Sequence, residues 1–265
     1  MDNYVDDRDY ELLDNEKYTF FVLKKILGFD CKIKLSDHEK LIFCFSNEPF
    51  PVWIWTRDEA EEDDYRKAYE LAAVNGLLDG KHGFNVKCDL ARYFIARAAG
   101  EGKSLDIAIN MFAYDCPEPI VPVNEVDGSI YECSTDDINE LTEFVARFHE
   151  ETGVDKTDYE GYRKVAQEHI ENGNLYFWLN GEGKKVACCM YSPDGDMASV
   201  GLVYTLPEYR RNHYAEHLVF QVTKKAKEAG FVPMLYTNAD YVASNACYVK
   251  IGYVLKGKLC CVGTI

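Results

Sequence analysis

The sequence predicts an α/β (α+β) protein in two parts, and three observations carry that prediction. Strand-like and helix-like segments alternate along the 265 residues. Residues 203–215, VYTLPEYRRNHYA, read as a strand that passes through a Pro-Glu-Tyr-Arg turn into an amphipathic helix. Residues 116–128 hold Pro117, Pro119 and Pro122 and end in Gly128, so they are extended and helix-free. The expected partition is therefore an N-terminal α/β domain over 1–116, a Pro-rich linker over 117–128 and a second domain over 129–265. A hydrophobic content of 47% with 14% aromatics suffices for packed cores.

In the N-terminal half, Phe20 to Gly28 reads as a helix, followed by strands at Cys31 to Lys34, Leu41 to Phe45 and Val52 to Thr56. A long helix spans Arg57 to Leu78. Its acidic start (Asp58, Glu59, Glu61, Glu62, Asp63, Asp64) suits the positive end of a helix dipole. Then come a strand at Asn85 to Cys88, a helix at Leu90 to Ala99 and a strand at Leu105 to Tyr114.

In the C-terminal half, Ser129 to Cys133 alternates as a strand. Ser134 to Asp137 then caps a helix running to Thr152, with Leu141, Phe144, Val145 and Phe148 at helical spacing. A helix at Tyr159 to Asn172 precedes strands at Leu175 to Leu179 and Lys185 to Tyr191, joined through Gly181-Glu182-Gly183. Ser192-Pro193-Asp194-Gly195 is a turn before the strand Met197 to Thr205. His213 to Ala229 is a helix stopped by Gly230, Phe231 to Thr237 a strand, Ala243 to Ile251 a helix, and the tail returns as strands.

Charge and cysteine usage narrow the function classes. A net charge of −16 and a pI near 4.8 argue against a protein that tracks nucleic-acid phosphates, and read either as simple solubility or as a lean toward a cationic or amine substrate. The acidic opening MDNYVDDRDYE is no signal peptide, and no apolar run approaches the ~20 residues that span a membrane. The ten cysteines include no C-x-x-C, and the adjacent pairs Cys188-Cys189 and Cys260-Cys261 lie in strands, where alternation sends them to opposite faces. They read as reduced core residues of a cytoplasmic protein with no metal site. Gly102-Lys103-Ser104 imitates the end of a P-loop. Arg97 stands where its first glycine belongs, and the helix and strand come in the wrong order.

The turn into the helix at 213 carries the chemistry. The first amides of a helix lack partners, and the aligned dipoles place about half a positive charge there, so a phosphate-bearing group can dock without a dedicated lysine. A second segment, Ser244 to Tyr253 (SNACYVKIGY), lies about forty residues on. Val203, Tyr204, Thr205, Pro207, Glu208, Tyr209, Arg210 and Ala215, then Leu235-Tyr236-Thr237, then Ser244, Asn245, Tyr248, Lys250, Gly252 and Tyr253, together resemble the GNAT superfamily of N-acetyltransferases. One departure is plain: His213 stands where the family's second glycine usually lies.

The resemblance implies a mixed, mostly antiparallel central sheet flanked by helices for the C-terminal half, with acetyl-CoA as co-substrate and an amine as acceptor. It implies that Leu202, Val203, Tyr204 and Thr205 offer backbone groups to the pantetheine arm. The amides of Arg211, Asn212, His213, Tyr214, Ala215 and Glu216 would hold the pyrophosphate. Arg210 would serve turn geometry or phosphate charge, and Asn245 would contact the cofactor. Tyr248 is the candidate general acid, since a phenol titrating near ~10 lies close to an alkyl thiol. The bland alternatives are a packed aromatic for Tyr248 and a helix cap for Asn245. No carboxylate lies on Met197 to Thr205, so the base is either Asp240 or water relaying to solvent. The competing function is a silent acyl-CoA-binding regulator. The N-terminal order β-β-β-α-β-α-β echoes the C-terminal half and admits two readings, a degenerate GNAT-like unit or an unrelated α+β domain.

Overall fold

The computed structural model describes residues 1–153 and 156–264, so Val154 and Asp155, between the first two helices of the C-terminal half, lie outside the described residues. The chain forms two compact units. Unit 1 comprises 1–114, 236–242 and 255–265; unit 2 comprises 115–235 and 243–254. This corrects the expected partition in two ways. The stretch 117–128 belongs to unit 2, and the C-terminal tail belongs to unit 1 rather than to the domain that precedes it.

Unit 1 contains α1 (Asp7–Asp14), α2 (Phe21–Ile26), β1 (Ile33–Ser36), β2 (Leu41–Phe45), β3 (Val52–Thr56), α3 (Glu62–Val74), β4 (Phe84–Lys87), α4 (Cys88–Gly100) and β5 (Asp106–Asp115, whose last residue falls in unit 2). Strands β1, β2 and β3 form an antiparallel meander, and β3 runs parallel to β4. Five of five residues in both β2 and β3 are buried, as expected of strands covered on both faces. One face packs Phe43, Ile54 and Phe84 with Tyr69 of α3 and Phe94 of α4; the other packs Leu13, Phe20, Ile42, Trp53 and Trp55. Helix α3 starts five residues later than the sequence suggested. A reciprocal capping box between Glu61 and Asp64 fixes its start, and left-handed Gly76 follows its end.

Unit 2 contains β6 (Ser129–Glu132), α5 (Ile138–Thr152), α6 (Tyr159–Asn172), β7 (Leu175–Leu179), β8 (Lys185–Asp194), β9 (Met197–Thr205), α7 (Tyr214–Glu228), β10 (Val232–Asn238, of which the part to Leu235 is in this unit) and α8 (Val242–Lys250, whose first residue falls in unit 1). From α5 onward this repeats the order of unit 1: two helices, three strands, helix, strand, helix. Strands β6 to β9 are antiparallel, and β10 joins β9 in parallel. The sheet is thus mixed and mostly antiparallel, with helices flanking it. Leu141, Phe144 and Val145 of α5 pack with Phe177, Cys188, Leu202 and Tyr204 on one face. The Phe144 ring meets Phe177 edge-on at 5.2 Å, a geometry worth about 0.5–1.5 kcal/mol beyond area burial. Helix α7 packs against β8 and β9.

The Ser-Pro-Asp-Gly turn is not where the sequence placed it. Strand β8 continues through Pro193, which pairs with Ala198, and the hairpin closes on Gly195-Asp196 with Gly195 at φ +57°. The last strand, β11 (Val254–Gly263), runs antiparallel to β4, with Cys260 opposite Val86.

The proline-rich run 117–128 is a strap over unit 2, not a free spacer. The Ile120 amide donates to the Ile251 carbonyl at 3.0 Å, and Lys227 bonds the Pro117 carbonyl and Glu118. Asp127 accepts from the Tyr214 hydroxyl at 2.7 Å and from the Gly181 amide at 2.5 Å, while its carbonyl accepts from Trp178 Nε1 at 2.9 Å. At Gly128, φ is +92° and a Cβ would stand 1.8 Å from the Leu179 carbonyl oxygen, so only glycine fits there. All ten cysteines are free thiols. Among the described residues no helix is long and apolar enough to cross a membrane.

Candidate functional site

Strand β9 carries two irregularities, one on each edge. On the β10 side, pairing runs from Met197↔Val232 to Ser199↔Met234 and then stops. Among the described residues, β9 from Val200 to Thr205 has no ladder partner on that edge. On the β8 side, Cys188 pairs with Tyr204 and Met190 with Gly201, so Leu202 and Val203 together oppose Cys189 alone. This is a β-bulge, and Leu202 sits in it at φ +48°. The Leu202 carbonyl accepts from Cys188 Sγ at 3.3 Å. A trans peptide is planar, with C=O and N–H opposed. The Val203 N–H therefore points away from the Cys188 sulfur. Leu202 and Tyr204 are buried, Val203 and Thr205 half-buried, and the Thr205 hydroxyl oxygen is buried without a hydrogen-bond partner.

The connection from β9 to α7 forms a concave run of amides. Pro207–Tyr209 make one turn of 3₁₀ helix, after which Arg211 and His213 both adopt left-handed backbone, at φ +65° and +62°. Left-handed residues of this kind turn successive N–H groups toward a common point and make anion-binding concavities. Among the described residues, the amides of Arg211, Asn212, His213, Tyr214, Ala215 and Glu216 donate to no protein acceptor; the first helical bond runs from His217 to the His213 carbonyl. His213 therefore keeps the left-handed conformation that a glycine would supply. The sequence reading had allowed it a helical conformation, and the structure makes it the N-cap instead. Its exposed ring lies 3.1 Å from Glu216 Oε2 and 3.2 Å from the Asn124 side-chain amide of the strap.

Arg210 sits at the edge of this loop with its guanidinium already engaged. Nε donates to the Thr205 carbonyl at 3.0 Å, Nη2 pairs with Glu151 at 2.6 Å, and the group lies 5.4 Å above the Tyr204 ring. The Glu151 hydrogen bond raises the arginine and correspondingly lowers the carboxyl. Of the two roles expected for Arg210, these contacts serve the turn. Asn212 likewise spends its side-chain amide on the Tyr209 and Arg210 carbonyls. Tyr214 turns its side chain to the strap, where the hydrogen bond to Asp127 pushes its phenol up to about 12.

Helix α8 brings Tyr248 to the same region. Its phenol neighbours Cys247 and Cys189, and Cys189 is the residue facing the bulge. Burial raises Tyr248 well above an ordinary phenol, so the group stays a proton donor through the physiological range. The Tyr253 ring braces it edge-on at 5.8 Å, and Tyr253 is pinned by a 2.8 Å hydrogen bond to Thr223 of α7. Asn245, half-buried, lies one turn before Tyr248. Asp240, one of the two sources considered for a base, is exposed and clusters with unit 1.

Sequence reasoning missed the bulge, the Cys188 contact and the strap. Left-handed Leu202 has no sequence signature, and the strap's proline content resembles that of a flexible connector. The cluster Asp6, Asp9 and His38 has metal-ligand spacing, but its oxygens are already used. Asp6 and Asp9 cap α1, and Asp9 also bonds Ser36 and lies 2.9 Å from His38 Nδ1.

Residues 138–253 match the acetyltransferase (GNAT) family model, which spans the bulged strand, the amide loop and Tyr248. A search of curated proteins returns no match. Among solved structures, a GCN5-related N-acetyltransferase from Kribbella flavida is 13% identical, with a TM-score of 0.64 over 94% of this chain and 95% of its own. A GNAT-family acetyltransferase from Colwellia psychrerythraea is 14% identical, with a TM-score of 0.58 over 96% and 97%. At such identities the likeness is one of fold. Residues 138–253, a little under half of the chain, are thus similar to the acetyltransferase domain of the GNAT family.

Proposed function

We propose that unit 2 is an acetyl-CoA-dependent N-acetyltransferase that transfers the acetyl group to a primary amine by direct attack in a ternary complex. The observation that carries this reading is the β9 edge left unpaired beyond Ser199, bulged at Leu202 and Val203, together with six unpartnered amides at the start of α7. The thioester supplies the activated acyl group. The Val203 N–H stands where it can donate to an oxyanion, and a fixed dipole of this kind contributes several kcal/mol when water is excluded. Residues 211–216 hold the diphosphate through main-chain N–H groups, aided by the helix dipole. Thr205 offers its buried, unsatisfied hydroxyl to the pantetheine arm. Tyr248 protonates the departing thiolate, a task that suits a phenol kept neutral by burial. Proton removal from the amine passes through water, since β9 bears no carboxylate.

Unit 1 repeats the element order, and we read it as a degenerate GNAT-like unit without a cofactor site of its own. At the start of α3, the Asp64 amide is taken by the Glu61 carboxylate and the Glu61 amide by Asp64 at 3.0 Å. Acidic groups occupy there what α7 leaves free, and they repel a diphosphate.

The test is equilibrium binding of CoA together with thiol release on a panel of free amino acids, polyamines, aminoglycosides and peptides. Release with one amine class supports the enzyme. Binding with no release on any amine favours a silent acyl-CoA-binding regulator, and no binding removes both.

A further inference from the structure

We propose that the buried thiol of Cys188 is a positioning residue that clamps the bulge of β9 and so aims the Val203 N–H. Its consequence for turnover rests on reading unit 2 as an acyltransferase; the clamp itself does not.

The bulge needs a holder. A non-glycine residue in the left-handed region costs about 1–2 kcal/mol, and Leu202 is branched and buried. The ladder cannot supply the holding force, because Cys189 alone faces both Leu202 and Val203. A carbonyl turned into the core there would cost about 1–3 kcal/mol if left unpaired. Cys188 answers both problems with one atom. Its Sγ donates to the Leu202 carbonyl at 3.3 Å, just before the ladder resumes at Cys188↔Tyr204. The peptide that precedes Val203 is thus anchored to a side chain, and the direction of its N–H is fixed with it.

Cysteine suits the position. The sulfur is wholly buried among Phe177, Leu202 and Tyr204, so it must be small, mostly apolar, and yet a donor. Burial keeps it a protonated thiol, and hence a donor. The adjacent Cys189 has no such role: it lies opposite the bulge, with its sulfur 3.9 Å from its own neighbour's carbonyl.

The clamp can be read without any substrate. Cys188→Val keeps the volume and removes the donor; Cys188→Ser keeps a donor. In the cofactor-free protein, amide hydrogen exchange at Val203 and Tyr204 should accelerate about tenfold in Cys188→Val and return to within about threefold of wild type in Cys188→Ser, a tenfold change being about 1.4 kcal/mol. In turnover, kcat should fall about tenfold in the valine variant with the CoA dissociation constant within about twofold of wild type, and serine should restore kcat. Wild-type exchange and kcat in Cys188→Val would overturn the clamp, as would a serine variant as impaired as the valine one. If Cys188→Val does not fold, Cys188→Ala makes the same comparison, with exchange judged against the remainder of β8 and β9. If wild-type protein releases no thiol with any amine, the acyltransferase reading falls and the exchange measurement still decides the role of Cys188.

Discussion

Replacing His213 with glycine tests whether this position is a backbone device or a side-chain one. The residue caps α7 at φ +62°, a conformation that disfavours any side chain by about 1–2 kcal/mol. His213→Gly removes that strain. Against it stand a more flexible unfolded chain, at about 0.4–1 kcal/mol, and the loss of contacts with Glu216 and Asn124. The His213 side chain is 41% exposed, which limits the Glu216 pair to under about 1 kcal/mol. These terms nearly cancel, so the melting temperature should move by no more than about 3 °C. His213→Val loses the same contacts and forces a β-branched residue into left-handed backbone, where it is a true outlier. It should be less stable than the glycine variant by about 2 kcal/mol, or about 4–8 °C. Thermal melts of the three proteins, with calorimetric titration of CoA, make the comparison. The glycine variant should bind CoA at least as tightly as wild type, because the amides keep their directions. Equal melting losses in the two variants, or a loss of CoA binding confined to His213→Gly, would refute the backbone account and assign the position to the imidazole.

Three further outcomes follow from the same geometry. Tyr248→Phe should lower kcat by about 10²-fold or more with little change in CoA affinity; unchanged turnover would remove the phenol from the mechanism. Burial raises Tyr236, Tyr248 and Tyr253 in the folded state, so above about pH 10 the unfolded chain gives up protons that the native one retains. Their contribution to stability is complete below pH 10 and is lost as pH climbs beyond it, and urea unfolding midpoints at pH 8 to 11 should fall at the alkaline end. Calorimetry with CoA should give one site per chain; two sites would mean that the acidic start of α3 does accept a diphosphate.

The long periodic elements were legible because each satisfies a local rule. The α6 segment Tyr159 to Asn172, β2, β3, β7 and β9 have the bounds that the residue pattern gives them. Helix α1 was overlooked because eight residues with two buried side chains make a weak pattern, although Asp6 and Asp9 spell its cap. The strap was misjudged for a different reason. Proline excludes helix, but nothing local says that Asp127 will meet Tyr214 or that Ile120 will meet Ile251. The amide loop was foreseen as a place, while its left-handed residues and the bulge at Leu202 depend on pairings between strands that no window of sequence contains.

Strand β11 sits between β4 and β5, so the first unit of this chain lacks an interior strand until its last residues arrive. A ribosome making the protein would hold roughly the first hundred residues with a gap through the middle of their sheet, while the second unit already has nearly everything it needs. Truncating ten residues from the C-terminus should therefore unravel the N-terminal half sooner than the half to which those residues are attached.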